Sequence, residues 1–392
     1  MGLIPRFRLP NKVGNTTQTP DFVIVSSGGR CGIYEYSRML VDAFAVLGQS
    51  VHHIAIAYRD HEALSRQLHQ LKRNQRIVIF EYTPEIFDPA RLLPQLVKLR
   101  WQKRHVILSI HDLNHGTIFR RSSVQRAMQT GLRPSSAFSF VTSAIRKLSN
   151  AIATRVALRL IGLTVNEVVV HSPRTAQQAR SMLGRTSKHR YVPHFAQPLI
   201  GDPIESRKRR GLTSDVFAFI IPGFIVRAKR ILEVIDALPA GVELWIVGTV
   251  RRADDFDSLT YLDEIRAKAA SAPKDRCIRV IEDYENMEEY LIAADVAVLY
   301  YSHGSQSGIG SLSIGAGKPC IFSDISAFEH LRPAGLWVST AQDLADAMQK
   351  IQEADTYSRL QAAAVGLNVA LDPVNCVREY VKNSSALKGS PG

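Results

Sequence analysis

The sequence predicts an α/β protein with two doubly wound parallel sheets. Short apolar runs rich in Val, Ile and Phe alternate with longer segments of helical periodicity, a pattern typical of parallel strands covered by helices on both faces. Glycine-rich turns follow several of these runs. A polar segment near the middle of the chain divides the runs into two groups, which indicates two sheets rather than one.

The apolar runs place the strands in order along the chain. The first group predicts strands at Phe22–Ser27, His52–Ala57, Arg76–Tyr82, His105–Ile110, Glu167–His171 and Arg190–Pro193. The second group predicts strands at Phe217–Pro222, Glu243–Val247, Ile278–Ile281, Val296–Tyr300 and Pro319–Phe322. Between the groups, Gly201–Gly211 has the Pro, Gly and charge content of an exposed linker. We therefore expect a first domain at 1–205 and a second at 206–371.

Composition excludes several classes of protein. The 392 residues are 45% hydrophobic, and no apolar run approaches the length of a membrane span. The four cysteines are widely spaced, so neither a zinc site nor a disulfide framework is expected. The N-terminus is basic but has no long apolar core, unlike a secretory signal. We expect a cytoplasmic protein, or one bound to the inner face of the cell membrane.

The net charge of +13 has a local origin. Residues 100–190 contain sixteen Lys and Arg but only two acids. Within this stretch, Ala144–Leu163 places Ile145, Leu148, Ile152, Val156, Leu160 and Leu163 at helical spacing beside basic residues. The apolar stripe either covers the first sheet, or the helix and the basic segment before it lie on anionic lipid. The candidate membrane or acceptor contacts are Arg120, Arg121, Arg126, Arg146, Lys147 and Arg155.

Nucleic acid is the weaker interpretation of this charge, because no recognition-helix, RNA-binding or zinc-finger pattern accompanies it.

Three turns between a strand and a helix are candidate phosphate sites, because backbone amides and a helix N-terminus favour anions. The first contains Gly28, Gly29 and Gly32, without the G-x-G-x-x-G spacing of dinucleotide-binding folds. The second contains Gly223 followed by Arg227 and Lys229. The third contains Gln306, Ser307, Gly308, Ile309, Gly310 and Ser311. Two such sites, one per domain and both at the carboxyl ends of strands, are expected to face one cleft.

The order of these segments resembles the GT-B glycosyltransferases of family 4 over roughly residues 21 to 380. The matching features are the Gly-Gly turn, His111-Asp112, VVVHS, YVPHF, PGF followed by a lysine, LWIVG and GAGKPCIFSD. The resemblance implies two facing Rossmann-like domains, with a final helix (372–392) that crosses back to the first. It implies transfer of a sugar from a nucleotide donor with retention, without a metal and without a cofactor other than the nucleotide-sugar substrate.

The resemblance also assigns roles by position. Gly28, Gly29 and Gly32 would contact the diphosphate or the sugar, and His111 would lie near the reacting sugar. Lys229 matches the phosphate-binding lysine, while Phe224 replaces its arginine partner and Arg227 is the candidate substitute. Backbone at Ile281, Glu282 and Asp283 would meet the nucleobase.

The family's E-x7-E carboxylates fall on Gly304 and Leu312. Gln306, Ser307 and Ser311 are the candidates to replace part of their hydrogen bonding. Two alternatives therefore stay open, a non-catalytic subunit that binds nucleotide or glycan, and an inverting GT-B enzyme or epimerase. The nucleotide of the donor (UDP, GDP or ADP) and the identity of the transferred sugar stay open as well. A lipid-linked or polysaccharide acceptor in bacterial-type cell-surface glycan synthesis is expected.

Overall fold

Two six-stranded parallel sheets form the structure, a computed structural model. It describes residues 22–29, 32–113, 137–184, 188–212, 216–250, 254–304 and 307–388, without the side chains of 137–150 and 381–388. The first sheet has the order β2-β1-β3-β4-β5-β6, and the second has the order β12-β11-β10-β7-β8-β9. Their strands are β1 Phe22–Ser27, β2 Val51–Ile56, β3 Ile77–Tyr82, β4 His105–Ile110, β5 Glu167–Val170, β6 Lys188–Tyr191, β7 Ala218–Pro222, β8 Glu243–Val247, β9 Cys277–Ile281, β10 Val296–Leu299, β11 Cys320–Ser323 and β12 Gly335–Val338.

Helices cover both faces of each sheet. Those of the first sheet are α1 Gly32–Val46, α2 His61–His69, α3 Pro89–Trp101, α4 Ala137–Thr164 and α5 Pro173–Leu183. The others are α6 Pro203–Arg209, α7 Ile231–Ala237, α8 Phe256–Ala270, α9 Met287–Ala293, α10 Gly308–Gly315, α11 Ala341–Lys350, α12 Ala354–Ala370 and α13 Pro373–Lys388. Two 3-10 helices, Arg227–Lys229 and Ser326–Ala334, complete the order.

Burial of the strands explains why their positions could be predicted from the sequence. β1, β3, β7 and β8 are buried along their whole length, so their sequences are nearly continuous apolar runs. Every strand predicted from the sequence is present within two residues of its expected bounds. β12 was not predicted, because it is a four-residue edge strand that begins with glycine.

The segment expected to be an exposed linker is exposed over most of its residues, but it is helical at Pro203–Arg209, so the expectation of an irregular connection was wrong. Asp202 caps α6, and its side chain accepts hydrogen bonds from the amides of residues 204 and 205. Arg207 is buried and donates to Asp295 at 2.6 Å and to the carbonyl of Ala293 at 2.7 Å. The basic run that suggested solvent exposure therefore supplies an anchor to the second sheet.

At the other end of the chain, α13 packs against α1, and its Cys376, Val377 and Tyr380 are buried in the core around β1.

The apolar stripe predicted on α4 does not cover the first sheet in the part whose side chains are described. Ile152, Val156, Leu160 and Leu163 are 56%, 53%, 42% and 62% exposed. The buried face is formed by Ala157, Leu158, Ile161 and Gly162. A Cβ at Gly162 would lie 2.1 Å from the carbonyl oxygen of Leu183, so glycine lets α4 approach α5 closely. This contact sets the helix rotation and turns the apolar stripe outward.

Candidate functional site

Three elements of the second domain converge at the carboxyl end of β7. Gly223 follows the strand with φ +93°, a conformation that favours glycine. A Cβ at Gly223 would lie 3.0 Å from both Nζ of Lys229 and Cδ1 of Ile309. The turn after β7, the lysine and the first turn of α10 therefore meet at one point, so the second and third candidate phosphate turns lie together in the second domain.

The amine of Lys229 is buried, and few neighbouring groups stabilise a positive charge on it. Its side chain is 6% exposed, and Nζ donates to the carbonyl of Pro222 at 2.5 Å. The ring of Tyr301 lies 5.9 Å from the ammonium. Burial lowers the pKa of Lys229 to about 7, and the described residues contain no ion-pair partner for it. A bound anion would stabilise the positive charge of Lys229 and favour protonation of its amine.

The N-terminus of α10 adds hydrogen-bond donors beside this amine. Ser307 caps the helix by accepting a hydrogen bond from the amide of Gly310 at 3.0 Å. The helix then begins at Gly308, whose Cβ position is open, so ligand atoms can approach the backbone. The hydroxyl of Ser311 is buried and has no hydrogen-bond partner among the described residues. Gln306 lies outside the described residues. These groups fit a diphosphate better than a neutral ligand.

Arg227, the candidate substitute for the family's arginine, forms ion pairs with two carboxylates of α8. Its guanidinium donates to Glu264 at 2.7 Å and to Asp257 at 3.0 Å. The hydrogen bond to Glu264 is the main reason that the pKa of Arg227 is raised. At the arginine's position, Phe224 stacks on Tyr284 with ring centroids 4.7 Å apart. The diphosphate role of Arg227 stays a prediction, and these contacts weaken it.

The predicted nucleobase segment lies after β9, beside the glycine turn of β8. The carbonyl of Ile281 accepts from the amide of Gly248 at 2.9 Å. Glu282 pairs with Arg266, and Asp283 accepts from Asn286 and pairs with Arg210 at 3.4 Å. These carboxylates therefore have partners within the protein, and Tyr284, the next residue along the chain, stacks on Phe224.

The glycine turn of the first domain is only partly described. The amide of Gly28 donates to the carbonyl of Ile56 at 2.6 Å, and a Cβ there would lie 3.2 Å from Ala55. This close approach alone accounts for glycine at position 28. Gly29 is exposed and Gly32 begins α1, each with open space at its Cβ position. Their contact with a diphosphate or a sugar stays a prediction.

His111 lies at the carboxyl end of β4 and has a buried partner that the sequence did not reveal. Its Nε2 donates to Oε2 of Glu81 at 2.6 Å. Glu81 is fully buried and His111 is 7% exposed. An acid inside the apolar run IVIFEY was the signal that could have found this pair.

Two further histidines surround His111. His171 and His194 have ring centroids 4.9 Å and 6.2 Å from that of His111. Nδ1 of His171 donates to the carbonyl of Val192 at 2.9 Å, and its Nε2 accepts from Ser109 at 3.0 Å. Burial lowers the pKa of His194 to about 3 and places that of His171 well below its usual value. Both are neutral histidines held within the protein core.

Glu81, His111 and His171 place their ligand atoms within 4.8 Å of one another. Divalent cations are held by such sets. Here the Nε2 atom of each imidazole has a protein hydrogen-bond partner, so hydrogen bonds among the described residues account for the close approach of these groups.

The predicted membrane contacts are described in part. Arg155 is exposed on α4. Arg120, Arg121 and Arg126 lie outside the described residues, and the side chains of Arg146 and Lys147 are not described.

Comparisons with known proteins identify the fold. No protein-family model matches the chain, and no curated protein matches it. Solved structures do match: HepE of Anabaena in complex with UDP has a TM-score of 0.66 and 12% identity, covering 93% of this chain and 99% of its own. Sucrose-phosphate synthase of Thermosynechococcus elongatus has a TM-score of 0.65 and 17% identity, covering 94% and 99%. WaaG, a glycosyltransferase involved in lipopolysaccharide biosynthesis, has a TM-score of 0.59 and 12% identity, covering 92% and 98%. The chain therefore has the two-domain GT-B fold.

Proposed function

We propose that this protein is a glycosyltransferase that transfers a hexose from a nucleotide sugar. The observation that carries the proposal is the buried, uncompensated amine of Lys229 at the meeting point of Gly223 and α10. A site that buries a cation without a carboxylate partner favours an anionic ligand. Solved structures of HepE, which has the same fold, contain UDP or UDP-glucose, and this supports the uridine form of the UDP- or GDP-linked donor that we propose.

The chemistry follows from the arrangement of these groups. Lys229 and the amides of Ser307–Gly310 would stabilise negative charge that develops on the leaving diphosphate. Removal of one such preorganised donor commonly costs about 100- to 1000-fold in rate. No protein nucleophile is assigned, and His111 would orient the sugar or the acceptor. The resemblance to family 4 favours retention, by attack on the face that the leaving phosphate occupies, without a metal or a resident cofactor.

One observation favours the alternative of an inverting enzyme. Inversion in a single displacement needs a base on the acceptor side, and Glu81 with His111 is a carboxylate–imidazole pair in the first domain. The non-catalytic alternative draws support only from Gly304 and Leu312, which stand where the family has its two carboxylates.

Turnover of UDP-, GDP- and ADP-sugars with product analysis by NMR tests the proposal and separates these alternatives. We expect turnover with sugars linked to one of these nucleotides. We also expect the product to keep the anomeric configuration of the donor. The opposite configuration would establish the inverting alternative. Binding of a nucleotide sugar with no turnover for any acceptor would favour the non-catalytic subunit.

We further propose that the outward face of α4 docks on an anionic membrane. Ile152, Val156 and Leu160 recur every fourth residue, so they share one helix face. Arg155 lies exposed beside them, and Trp101 at the end of the neighbouring α3 is 86% exposed. An apolar row with flanking cations matches the chemistry of an anionic bilayer surface. This surface supports a lipid-linked or membrane polysaccharide acceptor, and peripheral association with the cytoplasmic face of the cell membrane.

A membrane-crossing helix is not needed for this association. Within the described residues, Ala354–Tyr380 is long and apolar enough to span a bilayer by length and composition. However, its Leu360 and Ala364 are buried against the second sheet, and Val377 and Tyr380 are buried against the first. We therefore assign this stretch to domain packing.

Vesicle sedimentation tests the docking surface. We expect the protein to bind vesicles containing phosphatidylglycerol at least tenfold more tightly than neutral vesicles, because each basic residue near the surface contributes about 1 kcal/mol. The variant Ile152→Ser/Val156→Ser/Leu160→Ser should lose most of this binding. Val365→Ser/Val369→Ser, which changes exposed apolar residues of α12, is the matched control and should bind like the wild type. Equal binding by both variants would rule out α4 as the docking face.

A further inference from the structure

Polar side chains replace apolar ones at the carboxyl edge of the first sheet. Glu81 in β3 is in register with Ser109 in β4, and His111 and His171 follow on the same face of β4 and β5. Two positions earlier in each strand, the same face is apolar core, formed by Ile79, Ile107 and Val169. The polar group is therefore a localised cluster under the cleft.

Glu81 is a buried carboxyl group, and the protein must balance its charge when it is ionised. The side chain is fully buried, and its Oε1 has no hydrogen-bond partner among the described residues. Its only ion pair among the described side chains is with His111. The neighbouring phenols of Tyr36 and Tyr380 cannot supply a positive charge, and burial, together with Glu81 itself, raises both of their pKa values. A buried carboxylate without a cation would be strongly unfavourable.

Of the histidines in this cluster, His111 is the one placed to hold the balancing proton. Burial places the pKa of His171 well below its usual value, and both of its ring nitrogens already have hydrogen-bond partners, Ser109 and the carbonyl of Val192. Burial lowers the pKa of His194 to about 3 and that of His330, which belongs to the second domain, to about 4. In both His171 and His194, the charge on His111 lowers the pKa further. Only His111 contacts the carboxylate directly.

We propose that Glu81 is a positioning residue that holds His111 as an imidazolium, with Nε2 bound to Glu81 and Nδ1–H offered to a negatively charged substrate oxygen. The edge of the Tyr36 ring, with its centroid 4.7 Å from that of His111, and the neighbouring ring of His171 restrict the imidazole's rotation. No described group hydrogen-bonds Nδ1 of His111. The first domain thus provides a cation, as Lys229 does in the second. This inference rests on the proposed function only for the identity of the substrate whose oxygen meets Nδ1–H.

Nitrogen NMR of histidine-labelled protein tests the protonation state without any substrate. We expect both ring nitrogens of His111 to be protonated at pH 7.5, while His171 and His194 are neutral. In Glu81→Gln, which keeps the shape but removes the charge, His111 should be neutral at the same pH. His111→Gln identifies the signals. Glu167→Gln, which changes another buried carboxylate of the same sheet, one paired with Arg190, should leave the His111 signals unchanged.

A neutral His111 in the wild type would overturn the proposal, even if Glu81→Gln failed to fold. An unchanged His111 in a folded Glu81→Gln protein would overturn it as well.

Binding and rate measurements then identify the substrate oxygen. Hydrogen-bond partners behind metal-ligating histidines commonly contribute about 10- to 100-fold, and by analogy we expect a loss of that size in kcat/KM for Glu81→Gln. Weaker UDP binding by the variant would assign the contact to the donor diphosphate. Unchanged UDP binding with a raised KM for the acceptor would assign it to a phosphate of a lipid-linked acceptor. Wild-type kcat/KM in Glu81→Gln would contradict the role in substrate contact.

Discussion

Lys229→Met is expected to abolish sugar transfer and to make the free protein more stable at neutral pH. The variant removes the cation at the meeting point of Gly223 and Ile309. By analogy with the loss of one preorganised donor, kcat/KM should fall by about 100- to 1000-fold. Initial rates with the preferred nucleotide sugar measure this change. Wild-type kcat/KM in Lys229→Met would contradict the assignment of the diphosphate site.

The stability effect follows from the pKa of the same amine. The pKa is lowered from 10.5 in the unfolded chain to about 7 in the folded protein. Between these values the unfolded state binds more protons, so the free energy of unfolding rises with pH from about 7 to about 10.5. At pH 7 and below, the buried amine therefore destabilises the wild type by up to about 5 kcal/mol. Methionine has no titratable group, so Lys229→Met removes this destabilisation.

Chemical denaturation at pH 7 and pH 10 should show the two proteins converging as the pH rises. Lys318→Met is the matched control. Lys318 is a second buried amine, whose pKa burial lowers to about 8, and it lies outside the proposed donor site. This variant should keep the wild-type kcat/KM. A loss of transfer in Lys318→Met as large as in Lys229→Met would show that the loss follows from replacing any buried amine and is not specific to the diphosphate site.

Gly248→Ala is expected to disrupt the donor site through its backbone. A Cβ at Gly248 would lie 2.0 Å from the carbonyl oxygen of Gly223 and 2.7 Å from its carbonyl carbon. Because both groups belong to the backbone, the turn after β7 must move, and Gly223 is the residue that Lys229 and Ile309 surround. Overpacking of this kind costs about 1 to 3 kcal/mol. We expect a loss in the free energy of unfolding of this size and at least a tenfold loss of nucleotide-sugar affinity.

Gly366→Ala is the matched control for this glycine. Gly366 lies within α12, and the space at its Cβ position is open. Alanine is favoured over glycine in a helix by about 1 kcal/mol, so the control should gain stability and keep its donor affinity. A Gly248→Ala protein with wild-type stability and affinity would show that the turn after β7 is not rigidly held.

The sequence was informative where one physical requirement determined the residue type. Buried parallel strands must be continuously apolar, so the strand positions could be read directly. The turns at Gly223 and Ser307 could be found because a strand-to-helix turn needs glycine, or a capping hydroxyl, at fixed places. The lysine in the second turn stood out because a cation at such a turn needs an anion.

The remaining features depend on contacts between residues far apart in the chain. Arg227 meets Glu264 thirty-seven positions later, and no local pattern pairs them. Glu81 and His111 meet because β3 and β4 are neighbours in register, which is a property of the sheet. The rotation of α4 depends on one close contact between Gly162 and Leu183, so helical periodicity identified the apolar stripe but not the direction it faces.

Calorimetric titration of nucleotide sugars at pH 8, in buffers of different ionisation enthalpy, tests most directly whether Lys229 binds the donor diphosphate. The phosphates of a nucleotide sugar do not titrate near this pH, so a proton taken up on binding must go to the protein. We predict one-to-one binding of a UDP- or GDP-sugar with uptake of about one proton by the wild type, since the anion restores the charge on an amine whose pKa is about 7. We also predict much weaker binding without uptake by Lys229→Met. Tight binding with equal proton uptake by both proteins would contradict this assignment.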